Sequence, residues 1–184
     1  MDAPSAHRDV LRWGTAPERL DPAVRAALAR IRLLAFDFDG VMTDNRVYVD
    51  ETGREMVACS RYEGQGLDRI RPLGIAMCII STEVNTVVAR RAQKLKLPVE
   101  HGVGDKVAKL NHFADAHGVT LADCAFVGND INDRAVLEAA GVPIVVADCH
   151  PSVAHLGLYR TERPGGYGAV REICDLIADI HEAL

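Results

Sequence analysis

Three aspartates, Asp37, Asp39 and Asp44, crowd the end of an apolar run, LLAFDFDGVMTD (33–44). Like charges this close repel one another unless a cation sits among them. They are either a solvated acidic turn or a site that holds a cation and does chemistry. Other polar groups follow apolar runs in the same way: Ser81 after GIAMCII, Lys106 after LPVEHGVG, and GNDIND (128–133) after CAFV. Two acids, a hydroxyl, an ammonium and a second polar-acidic cluster suit phosphoryl transfer. A carboxylate can attack phosphorus and form an aspartyl-phosphate. Mg²⁺ takes one or two carboxylates together with waters and phosphate oxygens. A lysine, a hydroxyl and backbone N–H groups complete a cradle for the transferring group. A second carboxylate two residues on can protonate the leaving oxygen and then activate water. Gly40 lets the chain turn sharply after the acids.

The elements that must position these groups alternate. Apolar runs at 31–37, 74–80, 124–129 and 141–148, with a shorter one at 97–102, read as buried strands of a parallel sheet. Helical patterns lie at 64–72, 83–96, 104–117, 130–140 and 167–183. The expected fold is α/β, a doubly wound Rossmann-like parallel sheet between helices. In such sheets the site lies beyond the carboxyl ends of the strands, where all four polar features fall. Residues 45–60 read as a β-hairpin inserted after the first strand, RVYV and EMVACS around a turn at DETG. Residues 1–30 form an N-terminal extension carrying one helix, PAVRAALARI, after a segment expected to be disordered. The domain proper spans 31–184.

A chain of 184 residues suffices for one core of good size. The net charge of -5 argues against a nucleic-acid partner. No apolar run reaches the roughly 20 residues that span a bilayer. The opening MDAPSAHRDVLRWG has no apolar leader core. The five cysteines are scattered, and Cys78 and Cys124 sit within apolar runs. A reducing cytoplasm is the expected location. The histidines show no metal-ligand spacing.

DFDGVMTD, IIST, Lys106 in GDK and GNDIND resemble, in order, the four motifs of the haloacid dehalogenase-like (HAD) phosphohydrolases. The resemblance implies Asp37 as nucleophile and Asp39 as general acid/base. Ser81 and Lys106 would bind phosphate. Mg²⁺ would be held by Asp37, the Asp39 carbonyl and the Asn129/Asp130 region. The short hairpin in place of a cap, VADCHPSV and the tail GGYGAVREICDLI are similar to the small capless branch of octulosonate 8-phosphate and nonulosonate 9-phosphate phosphatases. That branch includes the HAD-like domain of some acylneuraminate cytidylyltransferases. The implied substrate is a phosphorylated keto sugar acid. The implied assembly is a homotetramer built through the hairpins, with a neighbour closing the site.

Two departures bear on this. The fourth motif has Asn129 where the family has Asp, which removes a charge from the metal set; Asp130 or Asp133 could compensate. Ser81-Thr82-Glu83 replaces the T-G-R of the octulosonate enzymes, and Glu83 with Lys94 resembles the nonulosonate side. A Glu in place of that Arg disfavours a substrate carboxylate at this spot unless Lys94 or Arg61 neutralises it, so the expectation leans to a nonulosonate. Each position also has a plainer reading. Asp44 and Thr43 suit turn closure. Asn129, Asp130 and Asp133 suit a helix start. Glu83 and Lys94 suit a solvated helix face. GGYG suits a flexible turn before the last helix, and Trp13 either docks or stays loose. Two rivals stand beside the enzyme. One is a weakly active or inactive scaffold serving a cytidylyltransferase. The other is a phosphoacceptor domain, which the general base at Asp39 opposes.

Overall fold

A computed structural model describes residues 13–183 of the chain. Six parallel strands form the central sheet: β1 (Leu33–Phe36), β4 (Ala76–Ile80), β5 (Val99–Glu100), β6 (Cys124–Gly128), β7 (Val142–Val145) and β8 (Tyr159–Arg160). Their order is β5-β4-β1-β6-β7-β8. The chain builds outward from β1 through β4 to β5, then returns to the other side of β1 with β6. That reversal places a crevice at the carboxyl end of β1. All four residues of β1 are buried, which explains why LLAF reads as a continuous apolar run and not as an alternation.

Seven helices are described: α1 (Pro22–Ala29), α2 (Tyr62–Ile70), α3 (Val87–Leu95), α4 (Lys106–Ala116), α5 (Arg134–Ala139), α6 (Pro151–Ala154) and α7 (Ala169–Glu182). One layer holds α1 and α2 against α7, and α4 packs beside α5. Arg91 of α3 pairs with Glu63 of α2 at 2.5 Å, which fixes α3 beside that first layer. Right-handed crossovers put the helices of the outward and return halves on opposite faces.

The expected hairpin forms as a separate antiparallel ribbon, β2 (Thr43–Val49) and β3 (Glu55–Cys59). Its turn is built by Asp50, whose Oδ1 accepts from the Thr52 and Arg54 amides, with Gly53 at φ +79°. The helix expected from residue 83 starts only at Val87. Ser81 Oγ accepts from the Glu83 N–H, Glu83 Oε1 from the Asn85 N–H, and Asn85 Oδ1 from the Val87 N–H. This relay of side-chain turns takes the amides that a helix would use. Glu83 is therefore a loop residue. The pattern at 130–140 divides into a 3₁₀ turn, Ile131–Asp133, and α5.

α1 begins at an Asp21 cap and buries Ala27 and Leu28 in the common core. The segment expected to be disordered lies largely outside the described residues. Trp13 is docked, edge-on to Tyr62 with ring centroids 4.7 Å apart, and the Arg163 guanidinium stacks on it. β8 and α6 were not foreseen, being too short for any periodicity to show.

Candidate active site

Asp37, Ser81 and Asn129 directly follow β1, β4 and β6, and Lys106 is the first residue of α4. The ladder brings these ends together, since β1 pairs with both β4 and β6. Lys106 Nζ lies 2.8 Å from Asp37 Oδ1 and 2.6 Å from Asp133 Oδ1. All three are buried. Asp133 Oδ2 accepts from the Asn129 amide at 2.8 Å and the Asp130 amide at 3.3 Å. Asp133 is thereby committed to holding Lys106 and the turn after β6. That corrects the expectation that it could stand in as a metal ligand.

Burial pushes the Asp37 carboxyl up, and the Asp133 charge adds to this; Lys106 opposes both, and the outcome is about 7. Burial alone would lower Lys106, yet Asp37 and Asp133 outweigh it and raise the ammonium above its ordinary value. Asp39 is half-buried. Its carboxyl is raised by burial first and by the Glu83 charge second, while a hydrogen bond with Thr43 and the Lys106 charge pull it back. A raised carboxyl suits a general acid.

Gly40 is held at φ +77°, and a Cβ there would lie 2.0 Å from Asn129 Nδ2. The backbone of the first motif thus touches the fourth with no side chain between. Thr43 Oγ1 accepts from the Gly40 amide at 3.1 Å and the Asn45 amide at 3.2 Å, so Thr43 closes this loop. Asp44 accepts from the Arg46 amide and from the Tyr167 hydroxyl.

A cleft of about 150 Å³ opens among Asp37, Asp39, Asn45, Thr82, Asn129, Asp130 and Asn132. A larger hollow of about 330 Å³, bordered by α1 and Ile180 of α7, is mainly apolar and gathers no catalytic set. Asn129 Oδ1 is buried without a hydrogen-bond partner among the described residues. A buried orphaned oxygen is costly unless something positive meets it. Among the described residues no three His, Cys, Asp or Glu side chains make a ready metal cage. The available donors are instead a carboxylate, an amide oxygen, a backbone carbonyl and Asp130 at the cleft wall. That hard-oxygen set fits Mg²⁺, which keeps several waters.

No protein-family model matches the chain. It is 31% identical over 159 residues to the 3-deoxy-D-manno-octulosonate 8-phosphate phosphatase of Salmonella typhimurium, covering 86% of this chain and 85% of that one. The crystal structure of the Yersinia pestis enzyme of the same name superposes with a TM-score of 0.85 at 31% identity, covering 89% of each chain. The Moraxella catarrhalis enzyme, solved with magnesium, phosphate and KDO, gives 0.82 at 31% identity, covering 86% of this chain and 91% of that one. The chain belongs to the octulosonate 8-phosphate phosphatase family of HAD-like hydrolases. It is a phosphoric monoester hydrolase.

In this HAD-like phosphatase the expected residues converge unevenly. Asp37, Asp39, Asn129 and Asp130 line one cleft. Ser81 is buried at the end of β4 beside it, and its Oγ accepts from the Glu83 amide. Glu83 is close enough for its charge to act on Asp39. Arg61 is exposed at the start of α2. Lys94 is exposed in the last turn of α3, which runs from the site end of the sheet to the opposite end. Within one chain it does not join the acids, so it does not neutralise Glu83. Asp133 was missed as the partner of Lys106. Its place three residues after the capping Asp130 is the spacing of a reciprocal cap and was the available signal. The approach of the glycine tail to the site is direct: the Gly166 amide donates to Val41 O at 3.0 Å.

Proposed function

We propose that this phosphatase is Mg²⁺-dependent and hydrolyses a phosphorylated keto sugar acid through an aspartyl-phosphate on Asp37. The observation that carries the reading is the buried Asp37–Lys106–Asp133 group at the end of β1, with Asp39 two residues on. Relatives named for 3-deoxy-D-manno-octulosonate 8-phosphate support that compound as the first substrate. Glu83 favours a second reading, a nonulosonate 9-phosphate, because it stands where the T-G-R of the octulosonate enzymes carries an Arg.

Asp37, Asp39, Asn129 and Asp130 would hold the ion, with Asp39 offering its backbone carbonyl. When bound, Mg²⁺ supplies charge neutralisation between the nucleophile and the phosphoryl oxygens. Asp37 forms a P–O bond as the ester P–O bond breaks. Asp39 gives its proton to the departing sugar oxygen. It then takes a proton from the water that attacks phosphorus, and Asp37 and inorganic phosphate are released. Lys106 and Ser81 hold the phosphoryl oxygens throughout.

The same reading includes a homotetramer. A two-stranded ribbon is marginal alone, and Val47, Tyr48, Val49 and Met56 are each at least half exposed on the hairpin. The five free cysteines suit the reducing cytoplasm where we place the enzyme. Phosphate release from a panel of sugar-acid phosphates, with and without Mg²⁺, tests the proposal. Turnover of one member that requires Mg²⁺ is expected. A folded, Mg²⁺-saturated protein that turns over none of them would overturn it.

A further inference from the structure

Glu172 lies in the first turn of α7, is fully buried, and takes no part in the chemistry above. Its Oε1 accepts from the Tyr159 hydroxyl at 2.7 Å and the Glu162 amide at 2.9 Å. Its Oε2 accepts from the Arg163 amide at 2.8 Å. Gly14 closes over the side chain so tightly that a Cβ there would lie 2.5 Å from Glu172 Cγ. One carboxylate therefore fixes the chain leaving β8 onto the start of α7.

Two residues further on, that chain meets the catalytic loop. The Gly165 amide donates to Asp148 Oδ1 at 2.9 Å. A Cβ at Gly165 would lie 1.8 Å from Gly40 O, and one at Gly166 2.5 Å from Asp44 N. The other side of Gly40 rests on Asn129. The contacts run from Glu172 through 162–163 and 165–166 to 40–44 and Asn129, mostly backbone on backbone. Close-packed backbone has no side chain to flex, so displacement at one end is passed to the other.

We infer that Glu172 is a positioning residue, which sets the seat of the 37–44 loop against Asn129 by clamping the glycine segment 165–166 onto it. That the 37–44 loop is catalytic and bears the metal rests on the proposed function; the mechanical coupling does not.

The test is amide hydrogen exchange of the full-length, metal-free protein in Glu172→Ala, Glu172→Gln and Leu97→Ala. Leu97 is a buried residue at the foot of the sheet, before β5, and controls for lost stability alone. Gly166, Met42 and Thr43 donate to Val41 O, Phe38 O and Phe38 O, so their amides report the clamp and the loop. In Glu172→Ala they should lose about tenfold in protection, beyond any global loss. Glu172→Gln keeps one acceptor oxygen and should restore only part of it, leaving a local loss of about threefold, while Leu97→Ala should leave these amides no more affected than the rest. Equal, global loss in Glu172→Ala and Leu97→Ala overturns the inference. If Glu172→Ala does not fold, Glu172→Gln decides: a loss of about threefold confined to these amides supports the clamp, and no local loss overturns it. Calorimetric Mg²⁺ titration of the same variants should show affinity about tenfold weaker in Glu172→Ala. Coupled exchange in a wild-type protein that takes up no Mg²⁺ would support the clamp and overturn the metal reading instead.

Discussion

A buried pair of carboxylates and a buried single one sit on either side of Gly40, and they are satisfied by opposite means. Asp37 and Asp133 share one cation, Lys106. Glu172 has no cation paired with it among the described residues; two amides and a phenol surround it. In the first group each charge is balanced by other charges, and the proposed mechanism would have them exchange partners. That arrangement is fragile at one point, because removing the shared cation leaves both acids buried without their paired charge. In the second, fixed dipoles hold the charge, and the yield is geometry. On the proposed reading, chemistry and alignment fall to separate acids in one small domain.

The largest expected contrast comes from Asp37→Asn. Phosphate release should fall by about 10³-fold or more, as for a lost nucleophile. Above pH 7 the melting temperature should hold or rise, since Lys106 keeps Asp133 and a buried like charge is gone. A thermal melt beside the assay checks both. Next is Lys106→Met, which leaves Asp37 and Asp133 facing one another. A loss of about 3–5 kcal/mol in urea unfolding is expected above pH 7, and less below it.

Asn129→Asp adds the charge that the family ordinarily carries, and Mg²⁺ should bind about tenfold tighter by calorimetry. A pH series sharpens the same point. In the metal-free protein the folded Asp37 holds its proton up to about 7, against 3.8 for the ordinary carboxyl. Its contribution to stability is therefore complete below the lower value and is lost as pH rises through about 7. Metal uptake displaces that proton, so Mg²⁺ affinity should fall by about tenfold per pH unit below 7. The smallest effect belongs to the second group. Tyr159→Phe removes one of the hydrogen bonds to Glu172 and should cost about 1 kcal/mol in urea unfolding, with little change in Mg²⁺ affinity.

The sheet was legible because its strands are buried on both faces and read as unbroken apolar runs; β1, β4, β6 and β7 fall within the expected segments. The candidate positions Asp37, Ser81 and Asn129 were legible because each follows such a run directly. What escaped was held by contacts that a linear pattern does not encode. Glu83 left the helix because Ser81, Glu83 and Asn85 each cap a neighbouring amide. Asp133 reads as an ordinary acid near a helix start until Lys106 arrives from 27 residues upstream. Glu172 reads as one polar position on an amphipathic helix, and only the return of 159–163 across it reveals the clamp. Lys94 illustrates the converse, since a suggestive residue type at the wrong end of a helix does not reach the acids.

The docking of Trp13 has a spectroscopic consequence. It is the only tryptophan in the chain, and its indole lies against Gly168, edge-on to Tyr62 and beneath Arg163. Selective excitation therefore reports from a single place, the junction of the segment before α1 with the start of α7. Any displacement of that junction changes the surroundings of this indole, so its emission is a probe of the clamp that needs no label.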